Sequence, residues 1–221
     1  MTAFRAVDER DLLEHRYGGG RTQPRRDRRR LQSNGLVERH TLSLEDGQWL
    51  KIWTATREGS KRAEAAAADP GQRFYSGLAK TREAAHDAKL YAVFQKERAE
   101  IEGLGGRVVR VTLDHELKRR VASAANRAQE RGRAAYAQAR REAAEAAKLP
   151  FRDGKVSFPD LRIEYETADG EREHRDIEFA SDRYKKSQIQ AKAQSGFRVY
   201  RDGVGGGRRI EPQLLRDALP R

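Results

Sequence analysis

The sequence predicts an α+β protein in which a small module of helices and a hairpin precedes a larger domain of mixed sheet and helices. Three observations predict this class. Residues 1–60 hold two helical patterns and then two alternating segments, residues 107–113 alternate like a strand, and residues 158–180 hold two more alternating segments around a glycine turn. The predicted parts are a module at 1–60, a connector at 61–80, a domain at 81–205 and a tail at 206–221.

The composition limits the classes of protein to which the chain can belong. Charged residues make up 36% of the sequence, and no apolar run approaches the roughly 20 residues of a membrane span, so we expect a cytoplasmic protein without a membrane partner. Cysteine is absent, which excludes disulfides, thiolate zinc sites and cysteine nucleophiles. The formal net charge of +12 predicts a polyanionic partner, and DNA is the first candidate.

A helix is predicted over residues 22–34. Thr22 can cap its first turn, which also tolerates Pro24, and Gly35 suits its C-terminal end. The side chains expected to anchor this helix to a core are Leu31, Leu36 and Val37.

Two strands are predicted to follow at 36–44 and 48–55, with Asp46-Gly47 as the turn between them. This order of helix, glycine, hairpin and threonine-rich strand resembles that of winged helix-turn-helix regulators. The resemblance implies that the helix at 22–34 enters the major groove of DNA. The earlier helical segment at Asp8–Glu14 starts too late for the full first helix of such a module, so that helix is expected to be missing or to come from a partner chain.

Arginine dominates the predicted recognition helix. A major groove admits one helix, and arginine can contact guanine edges or phosphates there. Residues three and four apart share a helix face. The face expected to meet DNA holds Arg21, Arg25, Arg28 and Arg29, with Arg26 and Arg30 beside it. The alternative is a solvated helix face in a module that binds only protein.

The larger domain is predicted to be an α/β domain with a basic helical insertion at 115–148. Its other expected elements are a helix at 81–103, a strand at 107–113, strands at 158–167 and 172–180, a helix at 182–195 and a strand at 197–201. Two interpretations of the insertion stay open, because its arginines could lie along DNA phosphates or form a solvated face. Tyr136 and the alanines near it could also pair helices in a homodimer.

The two strands at 158–180 predict their own register. A two-residue turn would place apolar side chains of one strand on the polar face of the other. A three-residue loop at 168–170, with Gly170 in the left-handed conformation, brings both polar faces together. The pairs expected from this loop are Thr167 with Glu171, Arg162 with Asp176, and Asp160 with Glu178.

The last of these pairs predicts a metal site. Opposed residues have Cβ atoms about 4.5–5.5 Å apart, and two carboxylates at that distance repel unless a positive charge lies between them. A hard cation such as Mg²⁺ takes carboxylate, water and phosphate oxygens and supports phosphodiester cleavage. The alternative is a polar hairpin face neutralised by Arg162 and Arg175.

The order of the predicted elements resembles the PD-(D/E)XK nucleases, a restriction-endonuclease-like fold. Pro159-Asp160 resembles the PD of that pattern, and Glu178 resembles its acidic position. The pattern has lysine two residues after the acid, where this chain has Ala180. Some members of the family carry the lysine on the following helix, so the resemblance implies Lys192 as the catalytic lysine, with Lys185 on the same stripe.

The whole chain resembles the replication-relaxation family of plasmid and mobile-element proteins. The strings that carry this resemblance are RRLQSNGLVERHTL, ATREG, AAHDAKLY, FPDLRIEY and DIEFASDRY. It implies a role in plasmid or transposon replication or mobilisation. Because Ala180 stands where the nuclease pattern has lysine, the interpretation that we favour is a DNA-binding protein with a degenerate nuclease-like domain. The alternatives are an active Mg²⁺-dependent endonuclease and a transcription regulator whose C-terminal domain dimerises. The position of Lys192 or Lys185 relative to the two carboxylates separates the nuclease from the inactive shell.

Overall fold

The computed structural model describes residues 2–18, 22–44, 47–181, 184–201 and 207–210. The protein is of the mixed α+β class, as predicted. Its helices are α1 (Glu9–Tyr17), α2 (Thr22–Ser33), α3 (Arg57–Ala65), α4 (Thr81–Gly103), α5 (Asp114–Arg127), α6 (Arg133–Ala146) and α7 (Lys186–Gln194). Its strands are β1 (Val7–Asp8), β2 (Val37–Ser43), β3 (Trp49–Ala55), β4 (Arg107–Leu113), β5 (Phe151–Arg152), β6 (Lys155–Val156), β7 (Leu161–Glu166), β8 (Arg172–Ala180), β9 (Arg198–Arg201) and β10 (Arg208–Arg209).

The strands form three sheets. The first has the order β1-β3-β2, and its antiparallel hairpin pairs Val37 with Ala55 and Ser43 with Trp49. The second has the order β10-β9-β8-β7-β4, in which β8 and β9 run parallel. The third is the short β5-β6 hairpin. Of the predicted strands, those at 36–44, 48–55, 107–113, 172–180 and 197–201 are confirmed to within one residue at either end. The strand predicted at 158–167 is shorter in the structure, where β7 begins at Leu161.

The chain divides into two compact units. Unit 1 comprises Met1–Val111, Ile163–Glu173 and Asp202–Arg208, and unit 2 comprises Thr112–Arg162, His174–Arg201 and Arg209–Arg221. These units do not follow the predicted division at residues 60, 80 and 205, which remains a prediction. Within the described residues, no helix combines the length and the low polarity needed to cross a bilayer.

In unit 1, α2 ends as predicted. The N–H of Asn34 donates to Arg30, the N–H of Leu36 donates to Leu31, and Gly35 adopts φ +64°. The expected anchoring by Leu31 is wrong, because that side chain is 36% exposed whereas Val37 is buried. The capping role expected of the Thr22 side chain and the turn position of Asp46 lie outside the described residues.

Helix α3 begins inside the region predicted as strand and connector. The Thr56 hydroxyl accepts a hydrogen bond from the N–H of Gly59 at 3.0 Å and so caps the helix. A Cβ atom at Gly59 would lie 2.0 Å from the carbonyl oxygen of Leu36. The glycine therefore lets the first turn of α3 lie directly on the chain that leaves α2.

Helix α4 spans the predicted range and packs in unit 1 against the segment that contains β1. Phe4 contacts the rings of Tyr91 and Phe94, with ring centroids 5.4 and 5.2 Å apart. Arg5 forms an ion pair with Asp87 at 2.7 Å. The core beneath consists of Ala6, Leu42, Ile52, Ala84 and Ala88. Helix α4 thus packs against the N-terminal segment, and the expectation of a missing or partner-supplied first helix stays a prediction.

In unit 2, the predicted helical insertion is a pair of helices. A short 3₁₀ turn, Gln129–Arg131, and Gly132 at φ +98° separate α5 from α6. The pair packs through Leu117, Val121, Ala144 and Leu149, with Phe151, Val156 and Phe158 against them. The β5-β6 hairpin was not predicted, and its turn places Asp153 and Gly154 at positive φ. Helix α7 begins at Lys186 rather than near residue 182.

Candidate functional site

The hairpin formed by β7 and β8 has the predicted three-residue loop. The N–H of Thr167 donates to the carbonyl oxygen of Glu171 at 2.9 Å, and the N–H of Gly170 donates to Thr167 at 3.0 Å. Gly170 adopts φ +83°, which is the left-handed conformation that the loop requires. The register expected from the two polar faces is therefore present at the loop.

A buried ion pair confirms the same register further along the hairpin. The Nε atom of Arg162 donates to Oδ1 of Asp176 at 2.7 Å, and its Nη2 atom donates to Oδ2 at 2.8 Å. Arg162 also donates to the carbonyl oxygens of Ala147 and Lys148, which follow α6. The guanidinium of Arg162 thus pairs with Asp176 and with the carbonyl groups at the end of the insertion, and not with Asp160 or Glu178.

Asp160 is held beside Glu178 by backbone hydrogen bonds. Its N–H donates to the carbonyl oxygen of Ile177 at 2.9 Å, and its Oδ2 atom accepts from the N–H of Phe179 at 2.8 Å. Ile177 and Phe179 flank Glu178 in the sequence. The carbonyl oxygen of Asp160 accepts from the N–H of Asp114 at 3.1 Å, which fixes the other side of the residue.

Both carboxylate oxygens of Glu178 have hydrogen-bond donors within unit 2. Tyr184 donates its hydroxyl to Oε1 at 2.8 Å, and the Nζ atom of Lys192 donates to Oε2 at 2.9 Å. Lys192 also donates to the carbonyl oxygen of Phe158 at 2.8 Å, two residues before Asp160. The structure therefore brings together the predicted residues Asp160, Glu178 and Lys192, whereas Lys185 is exposed at the start of α7.

The environment of Glu178 disfavours its negative charge. The side chain is 1% exposed, and this burial, followed by the charge of Asp160, raises the pKa of Glu178 to about 6. Lys192 and the Tyr184 hydroxyl act in the opposite direction without cancelling the shift. Burial and the neighbouring Glu178 likewise raise the pKa of Tyr184.

This donor set fits a hard divalent cation. Glu178 is buried beside a second acid, and its pKa is raised first by this burial and then by the charge of Asp160. A bound Mg²⁺ would relieve that repulsion, and Asp160 and Glu178 are the side chains that would hold it. Lys192 places one positive charge beside Glu178.

Tyr184 was not identified from the sequence. The residue precedes α7 and follows Glu178 by six positions in the sequence, and no spacing rule connects the two. The N–H of Tyr184 donates to the carbonyl oxygen of Ser181 at 2.9 Å, and its hydroxyl reaches the carboxylate of Glu178. In the sequence, only the presence of a tyrosine six residues after Glu178 could have indicated this contact, and such a pattern is weak evidence.

The arginines predicted to contact DNA differ in their surroundings. Arg25, Arg26 and Arg29 are exposed on α2. Arg28 is not part of that exposed set, because its Nη1 atom lies 2.7 Å from Oε1 of Glu9 and its guanidinium lies over the Trp53 ring. The expectation that Arg28 faces DNA is therefore not supported by its contacts. Arg21 lies outside the described residues.

Glu9 organises this part of unit 1. Besides Arg28, it accepts hydrogen bonds from Arg39 at 2.6 Å and from the indole N–H of Trp53 at 3.2 Å. Burial alone would raise the pKa of Glu9, but the hydrogen bonds from Arg39 and Arg28 outweigh burial and lower it. The carboxylate is thus a structural anchor between α1, α2 and the hairpin.

Two further features were missed at the level of sequence. Trp49, the first residue of β3, is 64% exposed on the hairpin. Asp11, Glu14 and His15 on α1 have potential ligand atoms within 4.8 Å of one another, and their spacing of three and four residues could have indicated this. Burial, followed by the charges of Asp8 and Glu14, raises the pKa of Asp11 to about 6.

No family model, no curated protein and no solved structure matches the chain.

Proposed function

We propose that this protein binds DNA and hydrolyses its phosphodiester bonds at the site formed by Asp160, Glu178 and Lys192. One observation carries the proposal: Nζ of Lys192 lies 2.9 Å from Oε2 of Glu178, next to the backbone-held Asp160. From the sequence, the position of this lysine relative to the two acids distinguishes an active nuclease from an inactive nuclease-like domain. Its contact with Glu178 favours the nuclease.

Each residue of the site has a role that follows from its contacts. Asp160 and Glu178 would hold Mg²⁺, which when bound polarises the phosphate and makes a water molecule more acidic. Lys192 keeps Glu178 oriented, and its ammonium can stabilise the negative charge that develops on the phosphoryl oxygens. Tyr184 holds the second carboxylate oxygen of Glu178, as outer hydrogen-bond partners of metal ligands commonly do.

The charge of the chain supports DNA as the substrate. The formal net charge is +12, and Arg25, Arg26 and Arg29 are exposed on α2. Neutralising phosphates with arginine releases counterions, which favours association without regard to sequence. The resemblance of the chain to plasmid and mobile-element replication proteins makes such DNA the proposed biological context.

The proposal is tested by Mg²⁺- or Mn²⁺-dependent cleavage of supercoiled plasmid at low salt. We expect the wild type to nick or linearise the plasmid and Asp160→Ala to lose at least about 100-fold of the rate. Asp169→Ala is the matched control, because it removes the same charge from the exposed loop of the same hairpin. Equal cleavage by wild type and Asp160→Ala, or none by either, would overturn the proposed hydrolysis.

A DNA-binding scaffold is the second candidate function. It is favoured by the fact that both oxygens of Glu178 already accept hydrogen bonds, from Tyr184 and Lys192, so that the acid is satisfied within the protein. Calorimetric titration with Mg²⁺ and Mn²⁺ separates the two candidates. A site that binds neither cation at millimolar concentration, in a protein that still binds DNA, would establish the scaffold. The homodimeric regulator remains a prediction.

A further inference from the structure

We infer that the helical pair α5–α6 is an arm that binds the phosphate backbone of double-stranded DNA. The inference rests on the proposed function, because it names the surface of unit 2 that would engage the substrate of the site at Asp160 and Glu178. Its residues belong to unit 2, whereas the arginines of α2 belong to unit 1.

The two sides of α5 differ in character. Leu117, Val121 and Ala125 are buried on one side. The opposite, exposed side begins with Arg119, and the exposed cations continue towards the connection with α6. The arm arginines, as we call this set, are Arg119, Arg127, Arg131 and Arg133.

The arm arginines lack acidic partners in the part of the chain that the structure describes, and all of them are exposed. Other cations of the same helices do have partners. Lys118 pairs with Asp114 at 2.6 Å, and Arg141 pairs with Glu145 at 2.8 Å. The positive charge of the pair is therefore concentrated on the outer side of α5 and at the connection, where the guanidinium groups are available to an external anion.

The spacing of these cations suits a phosphate backbone. Arg119 and Arg127 are eight residues apart on one helix, a rise of about 12 Å at roughly 1.5 Å per residue. Along a duplex, each strand presents one phosphate per roughly 3.4 Å of axis, so the interval spans about three phosphates. Guanidinium groups also match phosphate oxygens with paired N–H donors.

The exposed face favours duplex over single-stranded DNA. Proteins that bind single strands combine cations with aromatic platforms on which the bases stack. The residues between Arg119 and Arg127 on the outer side of α5 are small or polar: Ala122, Ser123 and Asn126. Such a face offers charge without stacking, which fits a paired backbone whose bases are inaccessible.

The arm is tied to the site within unit 2. Arg162 on β7 donates to the carbonyl oxygens of Ala147 and Lys148, directly after α6. Arg162 follows Asp160 by two residues, and its partner Asp176 precedes Glu178 by two. The end of the arm is thus bonded to the strands that carry both acids, so DNA held by the arm would have a fixed position relative to them.

The test compares two variants of the full chain with equal charge. The arm variant replaces Arg119, Arg127, Arg131 and Arg133 with Gln. The control variant replaces Arg62, Arg98, Arg107 and Arg141 with Gln, which are exposed arginines with an acidic partner each. Affinity for a 30-bp duplex and for its single strand is measured over a range of salt concentrations, with the proteins' thermal unfolding as a check of folding.

We expect the arm variant to lower the slope of log affinity against log salt for the duplex by about 2 to 4, at about 0.9 per lost phosphate contact, and to bind at least about tenfold more weakly. The control should lower the slope by less than about 1. Equal changes in both variants, an unchanged slope in the arm variant, or a larger loss for single-stranded DNA would overturn the arm. So would a change from dimer to monomer in sedimentation that accounts for the lost affinity.

These outcomes are independent of the proposed hydrolysis. A lowered slope in the arm variant, with no plasmid cleavage by the wild type, keeps the arm and removes the nuclease. Cleavage that depends on Asp160, in a protein whose arm variant binds the duplex like the wild type, keeps the nuclease and removes the arm.

Discussion

The Nζ atom of Lys192 on α7 lies 2.9 Å from Oε2 of Glu178 on β8. The amine thus reaches the acid from the following helix, while the strand position two residues after Glu178 is Ala180. That alanine packs with Ile189 and Val199, so the position contributes to the core and not to the polar face. The strand β8 thus supplies a core side chain at this position, and helix α7 supplies the positive charge.

Replacing Lys192 with Met should lower the rate of plasmid cleavage at least about 100-fold at saturating DNA, because the ammonium beside the acids is lost. Lys185→Met is the matched control, since it removes the same charge from the exposed start of the same helix. Cleavage rates and duplex affinities of both variants check this. Equal losses in the two variants would show that only the general positive charge matters.

Replacing Arg162 with Met should lower the free energy of unfolding by about 3 kcal/mol or more, because Asp176 is left buried without its main partner. The double variant Arg162→Met, Asp176→Leu should be less destabilised than this single variant, since no unpaired buried charge remains. Urea denaturation at neutral pH measures both. A double variant as unstable as the sum of the two singles would argue that the pair contributes no coupling energy.

Asp11 predicts a pH-dependent stability. Because its pKa in the folded protein is raised from 3.8 to about 6, the group stabilises the fold fully below pH 3.8, and this contribution is lost as the pH rises through 6. Asp11→Asn cannot ionise, so it should gain about 1 kcal/mol over the wild type at pH 8 and none near pH 4, after allowance for partial exposure. Chemical denaturation at the two pH values tests this, and Asp169→Asn serves as the control. A gain that is the same at both pH values would contradict the assignment.

The arginines of α2 should separate into two classes. Arg25→Gln combined with Arg29→Gln should weaken duplex binding about tenfold without loss of stability, since both side chains are exposed. Arg28→Gln should instead lower the free energy of unfolding by about 1–2 kcal/mol, because it removes a hydrogen bond to the partly buried Glu9. Thermal unfolding and duplex titrations measure both properties. If Arg28→Gln kept normal stability but bound the duplex much more weakly, Arg28 would contact DNA as first expected.

The register of the β7–β8 hairpin could be predicted because local rules over-determine it. A loop ending in glycine, two alternating strands and the need to keep both polar faces together leave one arrangement, in which Arg162 meets Asp176. The same reasoning placed Asp160 near Glu178. Lys192 and Lys185 share a helical stripe, so sequence spacing could name both but could not choose between them.

Other features depend on contacts between distant segments, which spacing does not reveal. Arg28 looks like its exposed neighbours in the sequence, and the approach of Glu9 from α1 and of Trp53 from β3 leaves its side chain partly buried. The docking of α4 near β1 and the contact between Tyr184 and Glu178 are of the same kind. Helix α3 was missed because Thr56, which caps it, directly follows β3 and the helix runs across the boundary between the predicted module and connector at residue 60.

The parallel pairing of β8 with β9 requires the chain to cross over between them, and α7 is the helix that makes this crossing. Helix α7 is nine residues long, and the side chain it buries is Ile189. Its local opening would withdraw the amine of Lys192 and leave two acids facing each other. The fraction of molecules in which the Lys192–Glu178 contact is formed would then follow the free energy of undocking this single helix, and not the stability of the whole protein.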